Sequence, residues 1–391
     1  MDDINKQDTE FPKPLKFLMV LNNIDWFWSH RLPLARAIML KGWLLQLSTH
    51  KADKDETLKD LSVQGFDLPP HGRGSDILAL FKVLTALYKT IHDQQPDIIH
   101  AITIRYAFYA GIVTRLMGYK PVVFTIAGLG NLYTAPGLKY KLLRLVILPI
   151  FRFVFGGRDR HIIFQNPDDQ KKMVDAKIVP IEKTTIIRGS GVNIKEFSYT
   201  PYVEHANPPI ILFASRLLKE KGIYDFIEAA IILKGRDINA RFVIAGDVYP
   251  DNSRSVSKGE MEDYQKDGVI EWWGRHDDMI GLINQSMMMV LPSYYGEGVP
   301  KVLLEAAAIG RPIITCDTPG CREAVDHNAN GLLVPPQSPT DLADAIEQLI
   351  LAKDKRQEMG QNGRTRVEND FNTDAVVHQT MMVYDTLLQG S

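Results

Sequence analysis

The sequence predicts an α/β protein built of two doubly wound parallel sheets, and three observations predict it. Short β-rich apolar runs alternate with longer amphipathic runs, the pattern of strands joined by crossover helices. That alternation breaks at "IIRGSGVNIKEFSYTPYVEHANPP" (186–209), whose glycines and prolines suit a linker, and then starts again. At 391 residues the chain is also too long for one ordinary core and about right for two.

In the first half, "LKFLMVLNN" (15–23), "WLLQLST" (43–49), "DIIHAI" (97–102), "PVVFTI" (121–126) and "HIIFQN" (161–166) read as strands. Each is largely apolar and ends in, or within two residues runs into, polar residues or glycine, as expected of strands buried on both faces. "SDILALFKVLTALYKTIHD" (75–93) reads as a helix with Ser75 as its N-cap. After the linker come "IILFAS" (210–215), "RFVIAG" (241–246), "VIEWWG" (269–274), "MMMVLPS" (287–293), "PIITCD" (312–317) and "GLLVPP" (331–336). Three helical runs close the chain, ending with "NTDAVVHQTMMVYDTLL" (372–388).

Composition excludes several classes. The polar, acidic start "MDDINKQDTEFPKPLK" is neither a secretory signal nor a transit peptide, and no uncharged apolar run reaches the roughly 18 residues of a spanning helix. Cys316 and Cys321 match neither a zinc nor a redox spacing, so both are expected to be reduced thiols. Charge is unevenly spread. Residues 1–187 hold 25 basic and 18 acidic residues, a net +7, which leaves 20 basic and 29 acidic, a net −9, for the rest. From Ile98 to Arg158 there are eight basic residues and no acid. Within that window "LKYKLLRLVILPIFRFVFGGRDR" (138–160) is either a helix with its apolar face in the core or a surface for anionic lipid. Phe151, Phe153 and Phe155, with Lys139, Lys141, Arg144 and Arg152, favour the lipid reading.

In doubly wound sheets ligands bind beyond the carboxyl ends of the strands, so the strand-to-helix turns are where chemistry is expected. "GEGVPKVLLEAA" (296–307) is such a turn, with Glu297 before the helix, Pro300 at its expected first position and Glu305 within it. The N–H groups of Gly298, Val299 and Lys301 suit a phosphate. A carboxylate beside such a site suits sugar hydroxyls, because it repels phosphate; the alternative is a capping glutamate and an exposed one. "ASRLLKEKG" (214–222) sets Arg216 and Lys221 after the first strand of the second half, where two cations can clamp a diphosphate. "WWGRHDD" (272–278) offers an aromatic rim with Gly274 and Arg275 for a flat base. Asp53 and Asp55, the one D-x-D pair, sit in a polar run and read as a solvated loop, so no metal is expected.

Arg216-x4-Lys221, Trp273-Gly274-Arg275 and Glu297-x7-Glu305 stand in the order seen in glycosyltransferase family 4, and "SYYGEGVPKVLLEAAAIGRPIITCDTPGCREAV" resembles its bacterial surface-polysaccharide branch. "WFWSHRLPLARAI" (26–38) and "FTIAGLGNLY" (124–133) extend the resemblance over nearly the whole chain. It implies a GT-B fold: an acceptor-side domain 1–188, a nucleotide-sugar domain 189–370 facing it across a cleft, and a C-terminal helix 371–391 crossing back to the first. It implies a retaining, metal-independent transferase moving a hexose or N-acetylhexosamine from a nucleotide-diphosphate donor, UDP-linked in that branch, to a lipid-linked glycan. Arg216 and Lys221 are then the diphosphate clamp, Glu297 the sugar contact, and Glu305 the ribose holder. Gly298, Val299 and Pro300 lend backbone near the sugar, and Gly274 and Arg275 lie near the base.

The sequence departs from the family at Ala127, where many members carry a histidine that touches the donor sugar. Only backbone contacts at Ala127 and Gly128 are carried over, and His30 and Arg31 become candidates for the sugar or acceptor pocket. The implied setting is cytoplasmic, peripheral at the inner face of the cell membrane, with no cofactor and no nucleic-acid partner. Two other functions remain open: a nucleotide-sugar epimerase of the same shape, and a non-catalytic donor-binding subunit.

Overall fold

The computed structural model of the protein describes residues 13–70, 77–119, 121–129, 138–203, 208–250 and 252–390, with the backbone alone over 138–146. Ser75, expected as a helix cap, and Tyr133 lie outside the described residues.

Among the described residues thirteen strands form two sheets. The first runs in the order β3-β2-β1-β4-β5-β6-β7, from β1 (Lys16–Val20), β2 (Leu44–Thr49), β3 (Gln64–Asp67), β4 (Ile98–Ile102), β5 (Val122–Ile126), β6 (Arg160–Phe164) and β7 (Thr184–Ile186). The second runs β10-β9-β8-β11-β12-β13, from β8 (Ile210–Ala214), β9 (Arg241–Ala245), β10 (Glu271–Gly274), β11 (Ser286–Leu291), β12 (Ile313–Cys316) and β13 (Gly331–Val334). The pairings are parallel, with Phe17 opposite Leu45 and Ile98 in the first sheet and Leu212 opposite Met289 and Val243 in the second. Central strands β4, β5 and β8 are buried along their whole length, as their apolar sequences require. β3 and β7 were not among the expected strands. They are the two edges of the first sheet, half exposed and polar, and so lack the apolar run that marks the others.

Helices of nine residues or more follow the strands: α1 (Leu32–Leu40), α2 (Ile77–Gln94), α3 (Ile104–Leu116), α4 (Leu138–Phe155), α5 (Pro167–Asp175), α6 (Ile223–Gly235), α7 (Lys258–Lys266), α8 (Lys301–Ile309), α9 (Pro339–Leu351), α10 (Lys353–Asp370) and α11 (Thr373–Gln389). Among the described residues no helix is long and apolar enough to cross a membrane.

The chain divides into two compact units, one of residues 1–124, 158–160 and 384–391, the other of 125–157 and 161–383. In the first unit Tyr384, near the end of α11, packs its ring against Phe17, tilted by 59° with centroids 4.9 Å apart, and sets its hydroxyl 2.7 Å from His100 Nδ1. Burial, helped by the charge of Arg31, holds His100 well below its ordinary value of 6.5, so it is neutral. The second unit has one continuous apolar core running from Val192 to Phe371. Arg311, 1% exposed, ties it together through main-chain carbonyls: Nε donates to Ser286 O at 2.9 Å, Nη1 to Thr200 O at 2.6 Å and Nη2 to Asn284 O at 3.0 Å.

One surface expectation is corrected. Phe151 and Phe155 of α4 are buried, 5% and 1% exposed, and meet edge to face at 5.3 Å; Phe153, between them, is 48% exposed. Residues four apart share a helix face, so the outer two belong to the core and the aromatic trio forms no single surface. The side chains of Lys139, Lys141 and Arg144 lie outside the described residues, and Arg152 donates to Ala176 O at 2.8 Å.

Candidate active site

The order of the second sheet reverses between β8 and β11, and the turns leaving those two strands meet beyond their carboxyl ends. From the β8 side a short 3-10 turn, Lys219–Lys221, delivers Lys221. From the β11 side the chain runs 292–300 before α8 begins, and delivers Glu297. The Lys221 ammonium is ion-paired with Glu297 Oε2, with side chains 12% and 17% exposed. Ser293 Oγ donates to the other oxygen, Glu297 Oε1, at 2.6 Å. Ser293 is itself fully buried, and Thr318 Oγ1 donates to its carbonyl at 3.0 Å. Both oxygens of Glu297 are therefore engaged, and its side chain is aimed by residues far apart in sequence.

Two glycines confine the Glu297 backbone. Gly128 has φ +102°, and a Cβ there would lie 2.7 Å from Glu297 Cα. Gly320 has φ +85°, and a Cβ there would collide with the carbonyl oxygens of Glu297 and Gly298. A side chain at either position has neither the space nor the backbone geometry. Ala127 O accepts the N–H of Gly298 at 3.0 Å, and the loop that carries it is held by Asp169, whose Oδ2 accepts from Leu129 N at 3.1 Å. Burial raises the Asp169 carboxyl, while the hydrogen bond from Asn166 and the nearby Lys172 work against that rise.

The anion site expected at the start of α8 is thereby narrowed. The N–H of Gly298 is occupied by Ala127 O, and Pro300 sits at the cap with ψ 120°, so the helix begins at Lys301 rather than at the proline. Glu305, expected on an open helix face in one reading, is 7% exposed and paired with Lys301 Nζ at 3.2 Å. Burial raises its carboxyl above the ordinary 4.5, and Lys301 opposes the shift. Arg216 is exposed and makes no ion pair with a described residue.

This geometry sits inside a stretch with clear relatives. The family described as "Glycosyl transferases group 1" matches residues 196–366, and "Glycosyl transferase 4-like" matches 19–166. The chain belongs to glycosyltransferase family 4. This glycosyltransferase is 28% identical over 293 residues to the N,N'-diacetylbacillosaminyl-diphospho-undecaprenol alpha-1,3-N-acetylgalactosaminyltransferase of Campylobacter jejuni, covering 72% of this chain and 74% of that one. It is 26% identical over 328 residues to the UDP-Gal:alpha-D-GlcNAc-diphosphoundecaprenol alpha-1,3-galactosyltransferase of Escherichia coli, covering 80% and 81%. Anabaena HepE in complex with UDP-glucose superposes with a TM-score of 0.73 at 18% identity, over 95% of this chain and 99% of that one, which shows a shared GT-B fold.

The remaining expected residues of the glycosyltransferase lie in different settings. Gly274 ends β10 with φ +68°, and Arg275 next to it is an exposed side chain 3.3 Å from Asp277. Trp272 of the same rim is fixed by its Nε1–H donating to Gly246 O at 2.9 Å. In the first unit His30, in the π-helical turn Phe27–Arg31, stacks on Trp26, the residue before that turn, at 4.8 Å. Arg31 is 5% exposed, its value lowered to about 10 by burial, with Tyr384 and His100 as the ionisable groups that feel its charge. That is a core position. Asp55 accepts Trp28 Nε1–H at 2.9 Å and the N–H of Thr57 at 3.0 Å, so this carboxylate of the D-x-D pair serves the local fold.

Sequence reasoning missed Ser293, Thr318, Gly320 and Asp169. Only the place of Ser293 at the end of a strand hinted at a role. The others reach Glu297 through contacts that no spacing reveals. Arg254 was also missed; it pairs with Glu220 at 2.7 Å and covers the Tyr295 ring at 5.7 Å, beside the two turns.

Proposed function

We propose that the protein is a retaining glycosyltransferase that moves a hexose or N-acetylhexosamine from a UDP-linked donor to a polyprenyl-diphosphate-linked glycan, without a metal. The observation that carries this reading is the cluster Lys221–Glu297–Ser293 at the switch point between β8 and β11. Donor and acceptor class follow the names of the Escherichia coli and Campylobacter jejuni relatives.

In this reading the donor diphosphate draws Lys221 away from Glu297 and meets Arg216, whose exposed fork has no ion-pair partner to give up among the described residues. When the bond from the anomeric carbon to the phosphate oxygen breaks, its electron pair stays on the departing diphosphate. These two cations stabilise that growing charge, the task a divalent ion performs elsewhere. Glu297, still held by Ser293, faces the positive charge that develops at the anomeric carbon. The acceptor hydroxyl forms the new bond on the face the diphosphate leaves and gives up its proton to the departing phosphate oxygen. Glu305 and the rim at Gly274–Arg275 hold ribose and base. The enzyme works at the inner face of the membrane, where a lipid-linked acceptor is found.

The test is incubation of the purified protein with UDP- and GDP-sugars and a polyprenyl-diphosphate glycan. The expected result is a product with the donor's anomeric configuration by NMR, and activity that survives EDTA. An epimerised free donor, binding without turnover, an inverted product, or loss with EDTA that Mg²⁺ or Mn²⁺ restores would overturn the corresponding part.

A further inference from the structure

Strand β6 ends at Phe164, and the two residues after it, Gln165 and Asn166, both carry amides. Both are buried, Gln165 5% exposed and Asn166 not at all. Asn166 spends its side chain on the fold. Its Oδ1 accepts the N–H of Asp169 at 2.8 Å, capping α5, and its Nδ2 donates to Asp169 Oδ2 at 3.1 Å. Gln165 spends nothing: neither end of its carboxamide hydrogen-bonds to a described residue, and neither is wholly sealed from the surface. A polar group buried in a native fold normally has a partner.

The amide lies against the Glu297 segment, within the second unit. A Cβ built on Gly298 would sit 1.8 Å from Gln165 Oε1 and 2.9 Å from its carboxamide carbon, whereas the next atom, the carbonyl carbon of Ala127, is an ordinary 3.4 Å away. Gly298 has no positive φ, so its backbone geometry would accept a side chain. Glycine is required there by space alone, and the amide fills that space. Gln165 therefore stands one residue from Glu297 with a donor and an acceptor unspent.

We infer that Gln165 is a specificity-determining residue whose carboxamide binds a hydroxyl of the donor sugar, beside those that Glu297 meets. The inference rests on the reading under Proposed function and deepens it by naming a second side chain that reads the sugar. A hydroxyl both donates and accepts, so it pairs with either end of an amide. Being uncharged, the amide also adds no repulsion towards the nearby diphosphate. A donor without that hydroxyl leaves the amide buried and unpaired, which is how such a site rejects an analogue.

The test compares the wild type, Gln165→Met and Gly298→Ala, using the UDP- or GDP-sugar that the wild type transfers and its monodeoxy analogues. Methionine keeps the length of the side chain and removes its hydrogen bonds. Gln165→Met should lower kcat/KM for the full sugar roughly tenfold. It should cause no further loss with one analogue, the one lacking the hydroxyl that Gln165 binds. Affinity for the free nucleotide should not change. The melting temperature without ligand should equal or exceed the wild type's, because an unpaired amide has left the interior. Gly298→Ala pushes the amide aside and should show the same pattern among the analogues. An unchanged kcat/KM in Gln165→Met overturns the inference. An equal loss with the full sugar and every analogue overturns it too and makes Gln165 a packing residue. If donor hydrolysis without acceptor is unchanged and only the KM for acceptor rises, the amide binds the acceptor and the inference falls. A wild type that transfers no sugar from any donor sinks the reading under Proposed function and this inference with it, whereas every other outcome leaves that reading standing.

Discussion

Glu297 and Glu305 come from one turn-and-helix segment, and the second unit handles them in opposite ways. Glu297 meets Lys221, 76 residues earlier in the chain, and is aimed by the buried Ser293. Glu305 meets Lys301, four residues back on its own helix, and is otherwise desolvated. The first pair is long-range, so its geometry exists only once β8 and β11 are side by side. The second is local and forms with the helix. A carboxylate whose position depends on the whole sheet suits the bond being broken. One fixed by its own helix suits holding a part of the ligand that does not react.

The largest effects should fall on the long-range side. Lys221→Ala, Arg216→Ala and Glu297→Gln are each expected to lower kcat by roughly 10²-fold or more, with KM changed little. Retained kcat with a raised KM for any of them would move that residue to ground-state binding. Ser293→Ala tests whether aim matters apart from charge: losing one hydrogen bond to a charged group, about 1.5–3 kcal/mol, should lower kcat roughly 10- to 100-fold. Ser293→Thr should recover part of it, and an unchanged kcat in Ser293→Ala would leave Glu297 positioned by Lys221 alone.

Smaller effects belong to the local side. Glu305→Gln should weaken UDP binding about tenfold by calorimetry while kcat at saturation holds. Its stability effect has the opposite sign. The folded protein holds the Glu305 proton more tightly than the unfolded chain, so stability falls as pH rises above 4.5. Glu305→Gln removes that loss, and its melting temperature without ligand should exceed the wild type's at pH 7 and match it below pH 4.5. An equal or lower melting temperature at pH 7 would mean that Lys301 fully offsets the burial.

The smallest effect lies in the first unit. His100 is neutral in the fold and takes a proton only when unfolded, so its contribution is complete above pH 6.5 and declines as pH falls below that. Tyr384→Phe should cost about 1 kcal/mol at neutral pH, measured by urea titration. His100→Gln should flatten the stability slope below pH 6.5.

How far the sequence could be read follows the same division between local and long-range structure. Buried strands such as β4, β5 and β8 announce themselves by apolar runs. Edge strands β3 and β7 do not, and three-residue β7 disappears into what reads as linker. The turns bearing Arg216, Lys221 and Glu297 were legible because cation and carboxylate follow strand ends. The capture of the Gly298 N–H by Ala127, from a loop some 170 residues earlier, was not. Phe151 and Phe155 were legible and misread: their spacing of four already puts them on one helix face and Phe153 on another.

Tyr384 sets a timetable for the first unit. The ring that packs on Phe17 and meets His100 is made 284 residues after His100. At roughly 5–20 residues per second, the ribosome needs between about 15 s and 1 min to reach it. Throughout that interval β1 and β4 can pair, but the site of Tyr384 stands open. The amino-terminal unit therefore emerges first and finishes folding last, and nascent chains arrested before codon 384 should stay open to protease there after the six-stranded sheet has closed.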